Sequence, residues 1–185
     1  MAADVAYWQS VIFPMLLTIV GSSVGIAELH CACVARGQGG LLLAGPSGAG
    51  KSTLALALSQ QGFGFLSDDR TFCSIENGEA QVWGLPTPIK LRPEATLWFD
   101  ELWEERLTET RSGGPAFWLD PEHLIGVKRV RHSRPTSLIF LERGSTSEFR
   151  LSPMSPSEAL RRLNGGLMAT FPAEQICTQP RERFE

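Results

Sequence analysis

Residues 45–52 read Gly-Pro-Ser-Gly-Ala-Gly-Lys-Ser and match the pattern G-x-x-x-x-G-K-[ST]. Glycines at this spacing let the backbone curl so that its N–H groups converge on phosphate oxygens. The helix expected next turns its positive N-terminal end toward the same anion. Lys51 is then placed to reach the β- and γ-phosphates, and the Ser52 hydroxyl to ligate Mg²⁺, which prefers hard oxygen donors. Gly45, Pro46, Ser47, Gly48, Ala49, Gly50, Lys51, Ser52 and Thr53 are the expected ATP-binding residues.

Asp68-Asp69 is the second signal. Adjacent carboxylates often make a turn or a helix cap. One helix and one strand after a phosphate loop, they fall instead at the C-terminal edge of the sheet, beside the phosphates. One could hold Mg²⁺, with Ser52, while the other takes the proton of an attacking hydroxyl. Two close carboxylates ionise together cheaply only with a cation between them. His30, one strand and one turn before the loop, could reach the same edge. There it could polarise a phosphate oxygen or bind a second metal. Lys90 and Arg92, two apart on an extended stretch, could face one side and meet phosphate or an acidic substrate, or be a solvated edge. Arg134 is a weaker candidate of the same kind.

The elements that position these residues follow from the pattern. Residues 28–35 read as a strand and 36–40, with three glycines, as a turn. Residues 41–44 form an apolar run of the kind buried on both faces. Residues 52–60 read as a helix ended by Gly62, and 63–66 as a second strand. Beyond them the pattern turns β-rich. Residues 71–75 and 80–83 flank Asn77-Gly78, a hairpin signal. Residues 95–107 read as an amphipathic helix whose wet face is Glu101, Glu104 and Glu105. Residues 124–130 and 137–142 read as strands, and 157–163 as a helix capped by Ser157. The expectation is a mixed, β-rich α/β fold in one domain: a helical segment at 1–27 packed on it, a core at 28–178, and a frayed tail at 179–185.

Composition bounds the partners. The chain has 185 residues and a net charge of −3, without the basic excess of a general nucleic-acid binder. The run Val11–Val20 is broken by Pro14 and preceded by no Lys or Arg, so neither a secretory leader nor a membrane span is expected. Cys31 and Cys33 are too close for the usual zinc knuckle and read as small buried hydrophobes in a reducing cytoplasm. The five tryptophans read as core or interface anchors.

Leu29-His30-Cys31, the loop at 45–52 and Ser67-Asp68-Asp69 together resemble the HPr kinase/phosphorylase catalytic domain, whose core is shared with phosphoenolpyruvate carboxykinases. The likeness lies in a histidine one strand before the loop and an acidic pair unusually soon after it. It covers residues 29–69, and more weakly onward to about 142. The resemblance implies His30, Lys51, Asp68 and Asp69 as catalytic residues, with Asp69 the base, and Ser52 and Asp68 at the metal. It also implies ATP, Mg²⁺, a serine hydroxyl as acceptor and a homo-oligomer. Pro46 stands where the family has an aspartate, and no acidic residue follows Ser52. The expected activity is transfer of the γ-phosphoryl group of ATP to a hydroxyl of a protein, a peptide or a small molecule such as free serine. The alternative is a module that senses ATP or ADP without catalysis.

Overall fold

Two apolar faces organise the sheet, and the run before the glycine loop supplies both. Strand β1 is Ala27–Leu29, β2 is Ala32–Arg36, β3 is Gly39–Ala44 and β4 is Gly64–Ser67. In a strand, neighbours point to opposite faces. Val34, Leu43 and Phe65 accordingly enter one buried cluster, while Cys33, Leu42 and Leu66 enter another. That is why residues 41–44 are continuously apolar rather than alternating.

The computed structural model describes residues 8, 12–85, 87–100, 102, 108–110, 114–124, 126–144 and 148–166. Strands β5 (Thr71–Glu76), β6 (Glu79–Gly84), β7 (Ile89–Leu91), β8 (Thr108–Thr110), β9 (Gly114–Leu119), β10 (Lys128–Arg129) and β11 (His132–Phe140) follow the first four. Eight of these form one sheet in the order β1-β5-β6-β11-β3-β2-β4-β10, and three form a small sheet in the order β7-β9-β8. Helix α1 spans Phe13–Ser23, α2 spans Lys51–Gln60 and α3 spans Pro156–Gly166, with a 3₁₀ turn at Pro93–Leu97. The result is a sheet-rich α/β domain with few helices. The first cluster, with Ala55 and Leu56 of α2 and Ile89, Leu91, Phe117 and Leu119 of the small sheet, lies on one face. The second, with Leu163 of α3 packed against it, lies on the other.

Strand directions place the site. Strand β2 runs antiparallel to both β3 and β4, with Ala32 opposite Leu43 and Cys33 opposite Ser67. The C-terminal ends of β3 and β4 therefore share an edge with the start of β2. Strand β11 runs parallel to β3 and ends beside it, Phe140 opposite Ala44. The glycine loop, the acidic pair and His30 all leave the sheet at that edge.

Several expectations change. The strand at 28–35 is two strands, broken at His30-Cys31, because the chain changes partners there: β1 pairs with β5, and β2 with β3 and β4. Of the three glycines at 37–40, only Gly37 has positive φ; Gly40 lies in β3, where a Cβ would come within 3.1 Å of the Arg134 carbonyl. The helix at 95–107 is a 3₁₀ turn, Pro93–Leu97; Phe99 and Leu102 are buried beyond it, and 101 and 103–107 lie outside the described residues. Among the described residues of 124–130, Lys128–Arg129 alone form a strand, β10. Ser155, not Ser157, caps α3: its Oγ accepts the Glu158 N–H at 3.3 Å. Trp8 and Trp98 are mostly exposed rather than core anchors, and Trp103 lies outside the described residues. Helix α1 buries Pro14 and Gly21 while Phe13, Leu16 and Val20 are exposed. Among the described residues no helix is long and apolar enough to cross a membrane. The tail at 179–185 lies outside the described residues.

Candidate active site

The loop is shaped by backbone that only glycine adopts freely. Gly45, Gly48 and Gly50 have φ of +144°, +83° and +104°. At Gly45 a Cβ would also stand 2.5 Å from the Leu141 carbonyl oxygen, because β11 ends against the loop. Gly50 leads into α2 as its N-cap, so the first N–H groups of that helix face the loop. Lys51 is nearly buried, 6% exposed, and its Nζ donates to the carbonyls of Gly45 at 2.9 Å and Pro46 at 3.3 Å. Among the described residues no carboxylate pairs with it. A desolvated ammonium held only by carbonyl dipoles is a receptor for an anion.

Asp68 and Asp69 leave β4 in opposite environments. Asp68 is 5% exposed; its Oδ2 accepts the backbone N–H of Lys90 at 2.9 Å, while its Oδ1 is buried without a hydrogen-bond partner. Burial pushes its carboxyl up to about 6, against the pull of the Ser52 hydroxyl and the Lys90 amide. The buried orphan oxygen and the adjacent hydroxyl fit a hard divalent cation. They fit it as a pair, since among the described residues no cluster of three or more His, Cys, Asp or Glu side chains forms a cage. Asp69 is 62% exposed, and its Oδ1 stands 3.2 Å from His30 Nε2. One carboxylate is thus set inward beside the loop, and the other outward beside an imidazole.

The sequence pattern missed the groups that hold this turn. Thr71 Oγ1 donates to the Cys31 carbonyl at 2.9 Å, so the Ser67 hydroxyl, 2.6 Å away, must donate to Thr71. These two buried hydroxyls flank the acidic pair and fasten it to the chain just after His30. Arg70 pairs with Glu28 at 2.9 Å, fixing the same turn to β1. Strand β7 adds the Lys90 amide. No local pattern announces the contacts of Thr71 with Cys31, Arg70 with Glu28 and Lys90 with Asp68, because each joins residues distant in sequence. Cys31 and Cys33 are buried, and desolvation pushes the Cys31 thiol up to about 12.

The three basic candidates separate. Lys90 extends its ammonium over the Trp118 ring, 5.7 Å from the centroid. Arg92 lies over the glycine loop: its Nη1 and Nη2 are 3.3 Å from where a Cβ on Gly48 would stand. Arg134 sits at the far end of β11 and pairs with Glu79 at 2.5 Å, away from the site. A cavity of about 390 Å³ opens beside the start of the loop, bounded by His30, Pro46, Ser47, Glu142, Arg162 and Leu163. Arg162 bonds Glu142 across it and Glu158 within α3.

A solved structure, the HPr(Ser) kinase/phosphatase from Coxiella burnetii, is similar over 70% of this chain and 67% of its own, at 20% identity and a TM-score of 0.42. No family model matches the chain, and no curated protein matches it. A superposition this loose is silent on activity, so the functional reading rests on the residues themselves.

Proposed function

We propose that the chain is an ATP-dependent phosphotransferase whose acceptor is a hydroxyl, with serine in a protein or peptide as the leading class. One observation carries the reading: a buried, half-partnered Asp68 stands beside Ser52 and Lys51, while its neighbour Asp69 is exposed and paired with His30. A pure nucleotide sensor needs the loop but has no use for this division between two adjacent carboxylates. The loop amides and Lys51 bind the polyphosphate and offset charge that grows on it during transfer. Ser52 and Asp68 would hold Mg²⁺, which supplies Lewis-acid neutralisation of the phosphate oxygens. Asp69 accepts the proton of the acceptor hydroxyl as the new O–P bond forms and the bond to the departing ADP oxygen breaks. His30, 3.2 Å from Asp69, orients that carboxylate toward the acceptor.

The cavity favours a second, narrower reading. It lies at the loop's opening residues, whose carbonyls hold the Lys51 ammonium, the group that would reach the β- and γ-phosphates. At about 390 Å³ it suits a short peptide segment or a small hydroxylated molecule.

The test is transfer of label from γ-labelled ATP to a cell extract split by molecular size. Label should appear in the wild-type reaction and vanish with Lys51→Ala. Label in the large fraction supports a protein acceptor, and in the small fraction a metabolite. Equal labelling by Lys51→Ala and wild type would refute the reading.

A further inference from the structure

Resting on that kinase reading, we propose that Arg92 is the terminal-phosphate arginine, the residue that makes the site prefer a nucleoside triphosphate to a diphosphate. Ile89 and Leu91 are buried in the core, so β7 sends Lys90 and Arg92 the other way. Lys90 goes to Trp118, but Arg92 goes to the loop. Its backbone is extended, with φ −75° and ψ 159°, as the following Pro93 requires. The guanidinium then lies against the open side of Gly48, where any side chain would displace it.

Two features mark this as an anion site rather than a packing contact. First, among the described residues no carboxylate or carbonyl oxygen partners the guanidinium, although Arg70, Arg134 and Arg162 each have a carboxylate. A guanidinium on the same loop as the Lys51 ammonium, with no carboxylate between them among the described residues, favours the arrival of an anion. Second, the segment is tethered at the metal end. The Lys90 amide holds Asp68, and two residues of extended chain, about 7 Å, carry Arg92 from there to Gly48. The guanidinium therefore reaches the loop from the side of Asp68 and Ser52, where the phosphates beyond the α-phosphate lie. Its fork of donors suits the paired oxygens of a phosphoryl group.

Calorimetric titration of ATP and of ADP, each with Mg²⁺, into wild type, Arg92→Gln and Arg92→Lys tests this. Arg92→Gln should weaken ATP at least about tenfold and ADP less than threefold, the share expected of a charge-assisted pair. Arg92→Lys should recover part of the ATP loss. Arg92 is exposed, so unchanged thermal unfolding in both variants should exclude misfolding. Equal weakening of ATP and ADP, or no weakening, overturns the inference while leaving the kinase reading intact. Failure of wild type to bind either nucleotide removes both.

Discussion

The two oxygens of Asp68 are held unequally: Oδ2 takes the Lys90 amide proton at 2.9 Å, and Oδ1 is buried without a hydrogen-bond partner. An ionised group so placed opposes folding. Its carboxyl, raised from 3.8 to about 6, binds a proton more tightly folded than unfolded, so its effect on stability falls as pH rises through that window. Above pH 6 the cost is about 3 kcal/mol.

A divalent cation relieves that cost, and the relief depends on pH. Mg²⁺ should raise the unfolding temperature by at least about 3 °C at pH 7.5 and far less at pH 5, where Asp68 is protonated. Asp68→Asn should remove the difference between the two pH values. Scanning calorimetry with and without Mg²⁺ reads this; equal shifts at both pH values would assign the cation elsewhere.

Asp69 and His30 should act on turnover and not on nucleotide affinity. Asp69→Asn should lower kcat by about 10²-fold or more with ATP affinity changed less than threefold. His30→Ala should lower kcat less, since it positions the base without replacing it. Steady-state kinetics paired with equilibrium ATP binding separates the two effects. Full activity in Asp69→Asn would assign the proton to another group.

Thr71→Val should both loosen the site and destabilise the fold. It leaves the Cys31 carbonyl and the Ser67 hydroxyl without their shared partner in a buried setting. The expected loss is about 1–3 kcal/mol in denaturant unfolding, with reduced transfer. Unchanged stability would mean that these hydroxyls find other partners.

Gly45→Ala should abolish nucleotide binding at little cost in core packing. The added Cβ meets the Leu141 carbonyl at 2.5 Å in a backbone conformation that alanine resists. Fluorescent-ATP titration alongside circular dichroism checks it; retained affinity would show that the loop can move away from β11.

What was legible in the sequence is what is local. The loop follows from eight contiguous residues and α2 from residues 52–60 with Gly62 just after them, and Asn77-Gly78 announces the β5–β6 hairpin, where the two residues take positive φ angles of 53° and 80°. The acidic pair at the end of β4 was legible for the same reason. The rest is set by partners distant in sequence. The break at His30-Cys31 follows from a change of strand partner that apolar alternation cannot register. Strand β9 opens on Gly114 and Pro115, residues that disfavour strands, yet Pro115 pairs with Glu109 of β8. At Pro93–Leu97 the proline and the burial of Ala95, with Phe99 and Leu102 beyond it, favour a 3₁₀ turn over the helical period. Within the site, Lys90 and Arg92 were seen as a pair on one side, but only the fold separates them, one onto Trp118 and the other onto Gly48.

The most direct measurement is the crystal structure of the chain with Mg²⁺ and a non-hydrolysable ATP analogue. A triphosphate should be wrapped by residues 45–52, with the cation touching Ser52 and Asp68 and with Asp69 facing the terminal phosphoryl group. A loop without nucleotide, or a cation held away from Asp68, would contradict that arrangement.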